Sequence, residues 1–120
     1  MAVRAIRGAT QVSADDRDEV LAATRELVTE VMERNALASA DLISILFTAT
    51  PDLVSEFPAL AARELGLGDV PLMCATEIAV PHALPRVLRL MAHVETSRER
   101  AEVQHVYLRG AVALRRDIAQ

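Results

Sequence analysis

Only one segment of this chain sustains a long helical repeat. Val20, Leu21, Thr24, Leu27, Val28, Val31 and Met32 return every three or four residues, which places them on one stripe of an amphipathic helix. The opposite stripe, Arg17, Arg25, Glu26, Glu30, Glu33 and Arg34, reads as a solvated face. Ser13-Ala-Asp-Asp16 has the form of a capping box with Asp in the Glu/Gln position, and Asn35 is the expected stop. The remaining apolar residues fall in short runs, so strands must supply most of the core. A chain of 120 residues, 52% of them hydrophobic, fits a single domain over 1–120.

A period of two appears near both ends. In MAVRAIRGAT, a strand over 2–9 ended by Gly8, Arg7 shares its face with Val3 and Ala5. HVYLRGAVALRRD begins inside a final strand expected over 103–114. It puts Val106, Leu108, Val112 and Leu114 on one face and His105, Tyr107, Arg109 and Arg115 on the other. Leu42–Phe47 is a β-branched apolar run suited to a buried strand. Thr50-Pro-Asp52 joins a capping residue to a proline in the first helical position. A turn or short helix then leads to Phe57-Pro58 and a second helix over 58–65, stopped by Gly66. Val70–Cys74 is a further apolar run, Pro81 and Pro85 bracket a turn, and a strand follows over 87–94. Residues 98–102 read as a charged surface loop and 115–120 as a mobile tail.

The order β-α-β-α-β-β-β predicts an α+β fold: a mixed sheet of about five strands with one long and one short helix on one face. Two helices leave the other face to be covered by another subunit, and arginines on strand faces would then line a cavity between subunits. A lone buried guanidinium costs several kcal/mol, so such arginines call for an anionic partner.

Composition narrows what that anion is. A formal charge of -4 argues against a general nucleic-acid or anionic-membrane binder. Phe47, Phe57 and Tyr107 are the only aromatics, which leaves little for base stacking. All 13 basic residues are arginines, so an anion site here is built from guanidinium groups that grip carboxylates bidentately. Cys74 is the single cysteine, which excludes an internal disulfide and suits the reducing cytoplasm. The N-terminal stretch is too short and charged for a signal peptide, and no apolar run approaches the roughly 20 residues of a membrane span. Three scattered histidines and one cysteine have no metal-ligand spacing, and no phosphate-binding loop or nucleophile motif is present.

Polar residues recur in apolar settings in RAIRGAT, TATPDLVSEFPALAAREL, VPLMCATEI, LPRVLRLM and HVYLRGAVALRRD. In this order and spacing, over its whole length, the chain resembles the trimeric, non-helical α+β class of chorismate mutases. The resemblance implies a homotrimer with a barrel-like core and clefts between subunits. It also implies the rearrangement of chorismate to prephenate in aromatic amino-acid synthesis, without a cofactor. On that resemblance Arg7 and Tyr107 bind a substrate carboxylate, and Arg89 reaches the ether oxygen and a carboxylate. Glu77 and Cys74 meet the ring hydroxyl, Phe57 and Ala59 wall the cleft, Arg63 sits near its mouth, Leu114 contacts substrate, and Arg115 belongs to a mobile C-terminal lid. Leu60 and Met73 depart from the family pattern, and Met73 would contact substrate through its backbone.

The implied chemistry suits this inventory. Chorismate is a dianion whose C–O bond breaks ahead of C–C bond formation, so negative charge gathers on the ether oxygen. A fixed Arg89 donor favours that transition state, and Glu77 complements the opposite charge on the ring. Two other readings share an arginine-bearing interface cleft: a trimeric imine/enamine deaminase, and a regulator that binds a dicarboxylate without changing it.

Overall fold

Alternation in the first residues builds an interior strand of the sheet, next to its centre. The structure, a computed structural model, describes residues 1–114, so the expectations for Arg115 and the tail lie outside the described residues. Its strands are β1 (Ala2–Gln11), β2 (Leu42–Ala49), β3 (Leu72–Thr76), β4 (Val87–Thr96) and β5 (Val106–Tyr107). Its α-helices are α1 (Arg17–Arg34) and α2 (Pro58–Ala62). The sheet has the order β3-β2-β4-β1-β5, antiparallel at β2/β4 and β4/β1 and parallel at both edges. This is the expected α+β architecture with a five-stranded mixed sheet.

One face of that sheet holds the core. Ile6, Ile45, Phe47, Leu90, Ala92 and Val94 are buried against Leu27, Val28 and Val31 of α1 and Ala59 and Ala62 of α2. Gly8 does not end β1 but lies inside it. A β-carbon there would meet Leu27 at 3.1 Å, Leu90 at 3.2 Å and Val31 at 3.3 Å, so glycine lets α1 lie close on the strand. Gly66 does mark the stop after α2: its φ of 90° ends a widened helical turn over Arg63–Leu67.

Several expectations are corrected. The N-cap of α1 is Asp16, whose carboxylate accepts Glu19 N–H at 3.0 Å. Ser13 instead binds the Glu19 side chain through its own N–H and hydroxyl. Of the turn or short helix expected after Thr50-Pro-Asp52, the structure has the turn, closed by Leu53 N–H to Thr50 O at 3.0 Å. The charged stripe of α1 is partly clasped, with Arg17 on Glu56 at 2.8 Å and Arg25 on Glu64 at 3.4 Å.

The largest correction concerns 103–114. Only Val106 and Tyr107 pair as a strand; Arg109 takes a φ of 52°, and Arg109–Leu114 is a 3-10 turn. The apolar residues there pack sideways, with Tyr107, Ala111 and Leu114 clustering on Ala9. Arg109 pairs with Glu26 of α1 at 3.2 Å instead of sharing a strand face with Tyr107. The alternation was real, but only Gly8 and Ala9 of β1 pair with it before the chain turns at Arg109. No helix among the described residues is long and apolar enough to cross a membrane.

Candidate functional site

The sheet face away from the helices is uncovered, and the pairing register orders its side chains. One cross-strand row runs Ala75, Thr48, Arg89, Ala9 and Tyr107. The next row runs Met73, Leu46, Met91 and Arg7, and beyond it lie Ser44, His93 and Ala5. Residues directly opposite each other share a face, so Arg89 and Arg7 stand on the same side in adjacent rows. Small Ala9 between Arg89 and Tyr107 leaves room for their long side chains. Arg7, Ala9, Thr48, Arg89, Met91 and Tyr107 all line one hollow of about 260 Å³.

Glu77 follows β3 and is drawn over this hollow by two anchors. Its backbone N–H donates to Ala49 O at 2.9 Å, and its carboxylate accepts the Thr48 hydroxyl at 2.7 Å. The same carboxylate receives Arg89 Nε at 3.0 and 3.2 Å. The pair is unequal in exposure, 16% for the Glu77 side chain and 41% for Arg89. Glu77 is thus a largely enclosed counter-charge and Arg89 the accessible partner. Among the described residues only Nε of Arg89 is engaged, which leaves both Nη groups of the fork available to an anion. The Arg7 guanidinium likewise has no partner among the described residues, while Tyr107 is buried at the rim beside Leu114.

The other predicted site residues gather elsewhere. Phe57, Ala59, Arg63, Met73 and Cys74 line a second hollow, at the β3 edge of the sheet. Phe57 is 68% exposed and Met73 63%. Cys74 pairs with Phe47 and points to the helix face, opposite to Arg89. Neighbouring strands lie about 4.8 Å apart, so β3 is about 10 Å from β4, and of its residues in this group Met73 shares the open face while Cys74 does not. Within one protomer, then, Arg7, Glu77, Arg89, Tyr107 and Leu114 come together, and Phe57, Ala59, Arg63, Met73 and Cys74 come together, but the two groups do not meet.

The edge hollow rests on loop contacts. Asp15 accepts the N–H groups of Val54 and Ser55 at 3.1–3.2 Å. Glu56 accepts Phe57 N–H at 2.9 Å. That backbone donor, and then the Arg17 guanidinium, hold the Glu56 carboxyl below its ordinary value of 4.5. Leu60, at the helix start, is half-buried. Thr48 was missed by sequence reasoning, because an all-apolar reading of β2 hid the alternation that puts Leu46 and Thr48 on the open face. Among the described residues no three His, Cys, Asp or Glu side chains lie together as a metal site.

A family model described as chorismate mutase type I matches residues 3–118. Chorismate mutase AroH of Thermus thermophilus is 47% identical over 117 residues, covering 97% of this chain and 96% of that protein. Chorismate mutase AroH of Bacillus subtilis is 40% identical over 120 residues, covering 99% and 94%. A solved chorismate mutase from Clostridium thermocellum superposes with a TM-score of 0.91 at 47% identity, covering 92% of this chain and 98% of that one.

Proposed function

This chain belongs to the type I chorismate mutase family, and from that premise we propose how its own side chains serve the rearrangement of chorismate to prephenate. The observation that carries the reading is the convergence of Arg7, Arg89 and Tyr107 on one hollow, with Glu77 pinned above it. Arg7 and Tyr107 hold a substrate carboxylate. Arg89 directs its free Nη donors to the ether oxygen, where charge appears as the C–O bond lengthens, so it binds the transition state more tightly than the ground state. Glu77 keeps Arg89 in place through Nε and opposes the positive character of the ring. The cleft walls hold the enolpyruvyl arm folded over the ring, a near-attack pose. No proton moves and no nucleophile forms, so the site needs neither triad, metal nor cofactor.

The two hollows belong to one site assembled between copies. The open face exposes Val3, Leu46, Met73 and Met91, an apolar surface that a second protomer would bury. A homotrimer whose sheets close into a barrel-like core would bring the edge hollow of one chain onto the open-face hollow of its neighbour. Phe57, Ala59, Met73 and Cys74 would then wall the cleft from the second chain, with Arg63 near its mouth. Cytoplasmic residence and a role in aromatic amino-acid synthesis belong to the same proposal. Purified protein should speed the loss of chorismate ultraviolet absorbance; a rate equal to buffer rejects the reading. No observation favours the deaminase or the non-catalytic regulator.

A further inference from the structure

His105 stands outside that ligand set, yet its Nδ1 accepts the backbone N–H of Arg7 at 2.9 Å. β5 pairs with β1 through Gly8 with Val106 and Ala9 with Tyr107, and Leu108 N–H extends the ladder onto Ala9 O at 2.9 Å. Rungs on one side of a parallel strand recur every two residues, so the backbone of Gln104 is the regular acceptor for Arg7 N–H. That backbone is engaged elsewhere. Gln104 O accepts Asn35 Nδ2 at 2.9 Å, and Gln104 N–H donates to Asn35 Oδ1 at 2.8 Å. Asn35 is buried at the end of α1 and also donates to Val31 O. The chain at 104 is therefore tied to the helix, and the imidazole of His105 supplies the acceptor that the sheet would otherwise lack.

We propose that His105 is a positioning residue for the rearrangement. Its neutral ring, with the proton on Nε2, fixes the Arg7 backbone and so the guanidinium that stands in the open-face hollow. Protonation converts the acceptor into a donor and breaks the rung, so turnover falls as the solution is acidified. This rests on the reading that Arg7 binds substrate. Imidazole is the side chain whose ordinary titration falls between about pH 5 and 8, and the guanidinium groups stay charged throughout. Among the described residues, the charged groups around it include Arg4 and Arg7 from β1 and Arg100 from the turn before β5; Arg4 and Arg100 line the same hollow as His105. Glu99 is paired with Arg4 at 3.4 Å, and Arg34 of α1 with Glu30 at 2.9 Å. From β4, His93 lies opposite Ala5, its Nδ1 3.3 Å from Ser44 Oγ.

His105→Asn keeps an acceptor where Nδ1 stands and cannot be protonated, His105→Gln puts one where Nε2 stands, and His105→Leu removes it. The Asn variant is expected to keep kcat/KM at neutral pH within about twofold and to lose the acid limb. The Gln and Leu variants fall about tenfold, mainly through KM, as for one lost hydrogen bond. Equal losses in Asn and Leu, or an acid limb that survives in Asn, overturn the assignment. Without substrate, nitrogen NMR of the wild-type protein should show an unprotonated Nδ1 at His105 and a slowly exchanging Arg7 amide. A proton on Nδ1 of the neutral ring overturns it even in an active enzyme. A wild type that does not turn over chorismate strikes the functional reading and leaves the NMR result to decide the hydrogen bond.

Discussion

The hollow on the open face and the hollow at the β3 edge hold their side chains by different means. Arg7 and Arg89 rise from β1 and β4, whose mutual ladder is the longest in the sheet, and Glu77 is bound at backbone and carboxylate. Phe57, Ala59 and Arg63 sit on a short helix and its entry loop, whose backbone hangs on the carboxylates of Asp15 and Glu56. Groups that must meet a developing charge need fixed positions, because preorganised dipoles cost nothing to reorient during reaction. Groups that only wall a cleft tolerate a softer mount. On the proposed roles, the division of labour follows the division between ladder and loop.

The sharpest way to break this comparison is Arg89→Lys. Lysine keeps the charge but not the fork that serves Glu77 through Nε and an anion through Nη. Turnover should fall by about 100-fold or more, about 3 kcal/mol of transition-state stabilisation. The melting temperature should stay close to wild type, because the Arg89 side chain is 41% exposed. Near-normal turnover would mean that the reacting donor lies elsewhere, in the softer half.

A smaller effect is expected from Gly8→Ala. The added β-carbon meets the side chains of Leu27, Leu90 and Val31 at 3.1–3.3 Å, so these must give by a few tenths of an ångström where α1 packs on the strand that carries Arg7. Overpacking of this kind costs about 1–3 kcal/mol, measurable by denaturant unfolding. No loss of stability would show that the helix yields freely and that the ladder half is softer than described.

The smallest effect belongs to the edge half. Because Phe57 N–H and Arg17 lower the Glu56 carboxyl, its contribution is present above the ordinary value of 4.5 and lost as the pH falls below it. Hydrogen exchange at the Phe57 amide should quicken over that range in wild type. Glu56→Gln should show no such step, and an identical step in both would assign the loop to other contacts.

Much of this was legible in the sequence. The helical stripe from Val20 to Met32 located α1 to within a few residues, since a period of 3.6 over four turns has few other solutions. Arg7 and Arg89 were conspicuous because each interrupts an apolar alternation. What could not be read was set by tertiary partners. Residues 103–114 alternate like a strand, but Gln104 is tied to Asn35 on one side of the pairing and the chain turns at Arg109 on the other, so only two residues pair with β1. Gly8 looked like punctuation, yet it answers to a helix folded above it. Cys74 and Glu77 are three residues apart and were read as neighbours in one site, whereas the strand between them puts Cys74 toward the helices and leaves Glu77 over the open face.

The central claim is that these two hollows complete each other across protomers. Arg89→Ala removes the reacting donor from one half, Arg63→Ala the cation of the other, and each variant alone should be impaired, Arg89→Ala the more severely. Unfolding and refolding the two together should restore activity, because random mixing gives about a quarter of the interfaces an intact half from each chain. Recovery well above the sum of the separate variants is the predicted result. A mixture no more active than that sum, with mixed assemblies demonstrated by mass spectrometry, would contradict the claim.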